Sequence, residues 1–222
     1  MNKSVRSIVV ILLVMAAMIV SAGCGPKKPT ADDAKDYVKA VLDVMCTGDY
    51  DHSVTLADIE EGKETEVREE AIQAVLDSLE FKDQLSEEVK ANLSDCMVNA
   101  FSKAKYEVKD AVETEDGGYD VTVTIEPLDL FAPLGGPEME ILQERLMENA
   151  GQLLLMSEDE MMNSMFTLMI DMLNEGLENP QYTEPVDVTV HYGLMDEENN
   201  LYGCDEAEGK KLGEKIFYVA EN

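Results

Sequence analysis

The chain has 222 residues, of which 47 are Asp or Glu and 17 are Lys or Arg, giving a formal net charge of −30. That excess of carboxylates excludes nucleic acid as a partner, because phosphates require cationic side chains. It also repels anionic membranes and wall polymers while remaining compatible with cationic ligands. An apolar share of 45% suffices for one domain with a core, whereas 6% aromatics and no tryptophan argue against carbohydrate stacking.

Lys3 and Arg6 precede an unbroken apolar run from Ile8 to Val20. A helix of that length reaches about 20 Å, well short of a hydrocarbon core of about 30 Å. A basic start, a short apolar middle and a small-residue end make a secretory signal rather than a membrane span. The ending Ser21-Ala22-Gly23-Cys24 resembles the lipobox of bacterial lipoproteins. That resemblance implies cleavage before Cys24, thioether lipidation of its sulfur, and membrane lipid as a partner through this anchor. The body would then sit at the extracytoplasmic face of the cell membrane. Residues 1–23 are therefore expected to form the signal peptide and 24–32 a lipidated linker, extended because Pro26 and Pro29 break it. Residues 33–222 form a single domain, and losing Lys3 and Arg6 takes the net charge from −30 to −32.

Thr30 with Asp33 caps a first helix, whose stripe is Ala34, Tyr37, Val38, Val41, Leu42 and Met45, with Gly48 as its stop. A second helix is predicted over 65–79, with Val67, Ala71, Val75 and Leu79 on one side. Ser86 caps a third, carrying Val89, Leu93, Cys96, Met97 and Ala100. The period then changes to two. Tyr106, Val108 and Val112 alternate with charged residues, Asp116-Gly117 supplies a turn, and Tyr119, Val121, Val123 and Ile125 alternate with polar partners. This is a β-hairpin with one apolar face. Pro137 opens a helical pair over 137–178, whose second member is capped by Ser157 and Glu160. Alternation returns at Val186, Val188, Val190, Tyr192 and Leu194. Residues 201–204 give a short partner strand, and a closing helix follows over about 205–217.

Helices followed by antiparallel strands predict an α+β domain, with the N-terminal helices on a curved sheet and the helical pair inserted between strands. The helix ending in Thr47–Ser53, the hairpin over 106–125 and the strand over 186–195 resemble the nuclear transport factor 2-like class of cystatin-like cones. The chain also resembles uncharacterised lipoproteins of Gram-positive bacteria that carry such domains. The resemblance implies a cone that binds something or hosts an acid–base pair.

Catalytic constellations are absent from the pattern, and no cofactor or metal is called for. The sequence leaves open a Cys46–Cys96 disulfide, closing about 50 residues and adding roughly 4 kcal/mol, or else two buried free thiols. No Cys-x-x-Cys occurs. His52 lies beside Asp49 and Asp51 in a loop. His191 points from the polar face of its strand, where Asp187 is the first suspect for an acid–base partner but lies about 13 Å away along the strand, too far for a direct pair. Met161, Met165, Met169 and Met172 form a broad apolar face, which suits core packing or an adaptable surface for a hydrophobic partner. Cu(I) capture by these thioethers is a third reading. Tyr192 and His191 join that candidate surface. The function expected is non-enzymatic: an anchored domain binding a small hydrophobic ligand, a peptide or an envelope protein. A small hydrolase or isomerase and a purely structural assembly factor are the alternatives.

Overall fold

The computed structural model describes residues 23–24, 28–54, 56, 59, 62–77, 79, 81–130, 156–198 and 200–218. In chain order these hold β1 (Gly23–Cys24), α1 (Ala31–Thr47), α2 (Glu64–Asp77), α3 (Glu87–Ser102), β2 (Lys105–Glu113), β3 (Tyr119–Glu126), α4 (Glu158–Glu178), β4 (Val186–Asp196), β5 (Leu201–Gly203) and α5 (Glu206–Ile216). The signal peptide up to residue 22 and the first member of the helical pair, before residue 156, lie outside the described residues.

All strand pairs are antiparallel, in the order β1-β5-β4-β3-β2. The result is an α+β domain with a curled antiparallel sheet, as the change of period predicted. Its inner face is apolar because Tyr119, Val121, Val123 and Ile125 alternate inward on β3, joined by Val188, Val190 and Tyr192 on β4. α1 packs across that face, where Tyr37 meets Tyr192 at 4.9 Å between ring centroids. α3 lies beside α1, and α4 packs on α3. Phe101 of α3 meets Phe217 edge-on at 5.0 Å, closing the core against the end of α5.

The helix ends follow the caps read from the sequence. Thr30 and Asp33 form the capping box of α1, with the Asp33 N–H donating to Thr30 Oγ1 at 3.2 Å and the Thr30 N–H to Asp33 Oδ2 at 2.7 Å. Gly48 stops the helix in the left-handed region at φ 74°, its N–H donating to the Val44 carbonyl. Ser86 and Ser157 cap α3 and α4. Asn163 then locks α4 to α3: its amide donates to the Gln84 carbonyl at 2.7 Å, and its oxygen accepts the Ser86 N–H at 2.6 Å.

Three expectations need correction. α1 begins at Ala31, inside the range expected to be linker, and β1 pairs with β5. The second helix ends at Asp77 rather than 79, and Ile72 and Leu76 are buried in addition to the expected Ala71 and Leu79, with Val67 packed against the core. On β2, Val112 faces outward rather than inward. Val108 pairs with Val123 and Ala111 with Val121, so β2 spends one extra residue and the alternation flips at this bulge.

Candidate functional site

The polar face of the sheet carries a charge cluster at the end where β3 begins and β4 ends. Asp120 of β3 pairs directly with His191 of β4, so both side chains leave the same face. The turn before β3 brings Asp116 to the same place. Gly117 makes that turn possible at φ 84°.

The His191 ring lies in a slot built from two other glycines. A methyl group on Gly118 would stand 2.9 Å from His191 Cε1, and one on Gly193 would stand 2.6 Å from Nε2. With both walls bare, Nδ1 reaches Asp120 Oδ1 at 3.0 Å and Nε2 reaches Asp116 Oδ2 at 3.1 Å. A neutral imidazole has one N–H and can donate to only one carboxylate; two such bonds require the imidazolium. Partial burial lowers the His191 pKa, but the Asp120 hydrogen bond and the charges of Asp116 and Asp120 outweigh it, so the net direction is upward. The Thr114 hydroxyl and the Gly118 N–H hold the Asp116 carboxyl below its usual range.

The backbone of His191 is held as well. Its N–H donates to Glu208 Oε2 at 2.9 Å, and Lys211 Nζ lies 2.5 Å from Glu208 Oε1. Asp205 starts α5 by accepting the Glu208 N–H at 3.0 Å, which sets Glu208 in position. The arrangement sets a carboxylate against each ring nitrogen and so favours the protonated ring. The geometry is that of an electrostatic clasp between two strands.

Asp187, the suspected partner of His191, is elsewhere on the face. It accepts from the Thr124 hydroxyl and lies 3.8 Å from Lys109 Nζ. His52 has Glu64 at 3.6 Å and Asp49 at 3.9 Å, not Asp51. Asp51 instead accepts the Ser53 N–H at 2.9 Å. Among the described residues, no group of three or more His, Cys, Asp or Glu is arranged to hold a metal.

The methionine face divides. Phe166, Ile170, Leu173 and Leu177 form the core stripe of α4, and Met172 is buried. Met169 is half-buried against the core, while Met161 and Met165 face outward, Met165 at 51% exposure. Tyr192 is only 5% exposed and belongs to the core, not to a surface with His191. The reason is periodicity: adjacent strand residues leave opposite faces. The Cys46–Cys96 bond left open by the sequence is not made. Both are free buried thiols, as is Cys204, packed in the core as small apolar groups. Burial raises them to about 12, 11 and 12 for Cys46, Cys96 and Cys204 respectively.

Sequence reasoning passed over Asp116, Asp120 and Glu208. It also missed Arg68, buried on α2, whose guanidinium donates to the Cys46 carbonyl at 3.3 Å and lies against Gly48. A cation there complements the C-terminal end of α1. Between α2 and α3 runs an open groove of about 450 Å³, with Glu69, Glu70 and Asp95 on its walls.

No family model matches the chain. No curated protein matches it either. A crystal structure does: YcdA of Bacillus subtilis, provisionally assigned as a lipoprotein, at a TM-score of 0.55 and 15% identity. The alignment covers 84% of this chain and 56% of YcdA, so the chain spans little more than half the length of that protein. At such identity the likeness is one of fold: helices on a curled antiparallel sheet. Among the described residues, no helix is long and apolar enough to cross a membrane.

Proposed function

We propose that this chain is a lipid-anchored extracytoplasmic protein whose nuclear transport factor 2-like domain binds an envelope protein or peptide on its surface and catalyses no reaction. The observation that carries the address is the stretch Ser21-Ala22-Gly23-Cys24 behind a leader too short to span a bilayer. The fold likeness to a protein provisionally assigned as a lipoprotein supports it. A surface-binding role is supported by the packing of the sheet. Val121, Val123, Ile125, Val190 and Tyr192 are each covered by the helices, which leaves the polar face as the side that can meet a partner. The clasped state of His191, with both nitrogens engaged, supports a non-catalytic reading.

The decisive experiment isolates the full chain from bacterial membranes and sequences its mature N-terminus by mass spectrometry. The expected product starts at Cys24 and carries diacylglycerol on that sulfur. Cys24→Ala should lose the acyl mass and appear in the soluble fraction. A native product that starts elsewhere, or bears no acyl group at Cys24, overturns the address. For the binding role, native mass spectrometry of the acylated protein should reveal a stoichiometric peptide or protein adduct. A small hydrophobic adduct would favour a ligand-carrying domain instead.

A further inference from the structure

We propose that the domain docks on the bilayer surface through Leu194 and Met195, at the rim of the sheet where the chain begins. This rests on the lipid-anchor reading above and adds an orientation to it. Three attachments bring the beginning of the mature chain to one end of the sheet. Cys24, the first residue left after cleavage, pairs with Leu201 on β5. Lys28 Nζ meets Glu113 Oε1 at 2.6 Å, at the end of β2. The buried Tyr119 hydroxyl donates to the Pro29 carbonyl at 3.1 Å, at the start of β3. Cys24, Lys28 and Pro29 are therefore each bound to the body, which sets the anchor point against the sheet.

The rows of the sheet give the distance. Tyr202 pairs onward with Leu194, and Leu201 with Asp196. Two strand spacings of about 4.8 Å place the backbone of Cys24 about 10 Å from that of Asp196, next to Met195. Acyl chains entering the bilayer at Cys24 hold this rim at headgroup level. Leu194 and Met195 are 44% and 40% exposed there, beyond the last core row, and Leu201 and Tyr202 are half-buried beside them. Single exposed apolar residues are ordinary, but Leu194 and Met195 lie where the register of β4 on β5 shifts, so the strict alternation of faces is broken and both stand on the rim next to the anchor, with the right chemistry for the acyl boundary. Asp196, Glu197 and Glu198 follow in the turn and oppose an anionic leaflet. Docking is accordingly shallow, and it strengthens with salt, which screens that repulsion.

The test uses the acylated full chain in vesicles of phosphatidylcholine with a minor share of phosphatidylglycerol. Met195→Cys is labelled with an environment-sensitive fluorophore, and Met165→Cys on α4 and Thr189→Cys on the polar face serve as controls. Native thiols do not interfere, since Cys46, Cys96 and Cys204 are buried. The expected result is a several-fold rise in emission at 195, quenched by bromolipid, with no such change at 165 or 189. As an unlabelled check, Leu194→Ser/Met195→Ser should leave vesicles several-fold faster in transfer assays while keeping its acyl mass and its fold. An acylated, vesicle-bound protein whose 195 label stays in water, or whose double variant transfers at the parental rate, overturns the docking alone. A chain without lipid on Cys24 overturns the address and the docking together.

Discussion

Removal of the imidazolium between Asp116 and Asp120 makes the most direct test of the clasp. In His191→Ala, two charge-assisted bonds of 3.0 and 3.1 Å disappear and two carboxylates are left facing each other. The ring is 35% exposed, so each pair is screened and contributes at the level of a surface ion pair. The combined loss is about 1 kcal/mol near pH 6, which lowers the midpoint of thermal unfolding by about 2–4 °C for a domain of this size. The pH dependence follows from the raised pKa of the folded state. Below the ordinary histidine value of 6.5, folded and unfolded chains both carry the proton and the stabilisation is complete. As pH rises through the higher folded value the proton leaves and the contribution is lost. Urea unfolding of the parent and the variant at about pH 6 and about pH 9 reads the difference directly. The gap should be near 1 kcal/mol in acid, shrink in alkali, and shrink with salt. Gly193→Ala should reproduce the loss without deleting the charge, since its methyl group would stand 2.6 Å from Nε2. A gap that is flat across this pH range, or an His191→Ala protein as stable as the parent in acid, refutes the clasp.

Other consequences are equally accessible. Phe101→Ala, emptying the site that meets Phe217, should cost about 3–5 kcal/mol in urea unfolding. Gly48→Ala forces a side chain into the left-handed region and brings its Cβ to 3.2 Å from Arg68 Cζ; a loss of about 1–2 kcal/mol is expected from the backbone alone. Thr30→Ala removes the α1 cap and should cost about 1 kcal/mol by the same assay. The thiols of Cys46, Cys96 and Cys204 should resist maleimide at about pH 8 in the folded protein and react fully in urea, because the thiolate is the nucleophile. Mass spectrometry without reductant should find no Cys46–Cys96 link.

Local chemistry was legible wherever it repeats a short pattern. Thr30, Ser86 and Ser157 announce their helices through hydrogen bonds that span only three residues. The face of β3 follows from alternation, and its turn from Asp116-Gly117-Gly118. The register of β3 on β4 was not legible, because sliding the pairing by two residues keeps the same apolar face. Asp120 could therefore not be matched to His191, and suspicion fell on Asp187 of the same strand, about 13 Å away and too far for a direct pair. Val112 failed for a related reason: a single bulge reverses the alternation, and residues 108–112 give no sign of it. Methionines 161–172 spread around α4, so composition could not separate the buried Met172 from the exposed Met165. Phe166, Ile170, Leu173 and Leu177 mark the side that decides the packing.

The outermost strand of the described sheet, β2, has a consequence for crowding. An open border invites a second molecule to extend the ladder, and molecules held at high density would meet border to border often. Here the bulge at 108–111 breaks the straight run of the border strand, with Lys105 before it and Lys109 within it. Neighbouring copies are thereby offered a poorer template for zipping together along that border.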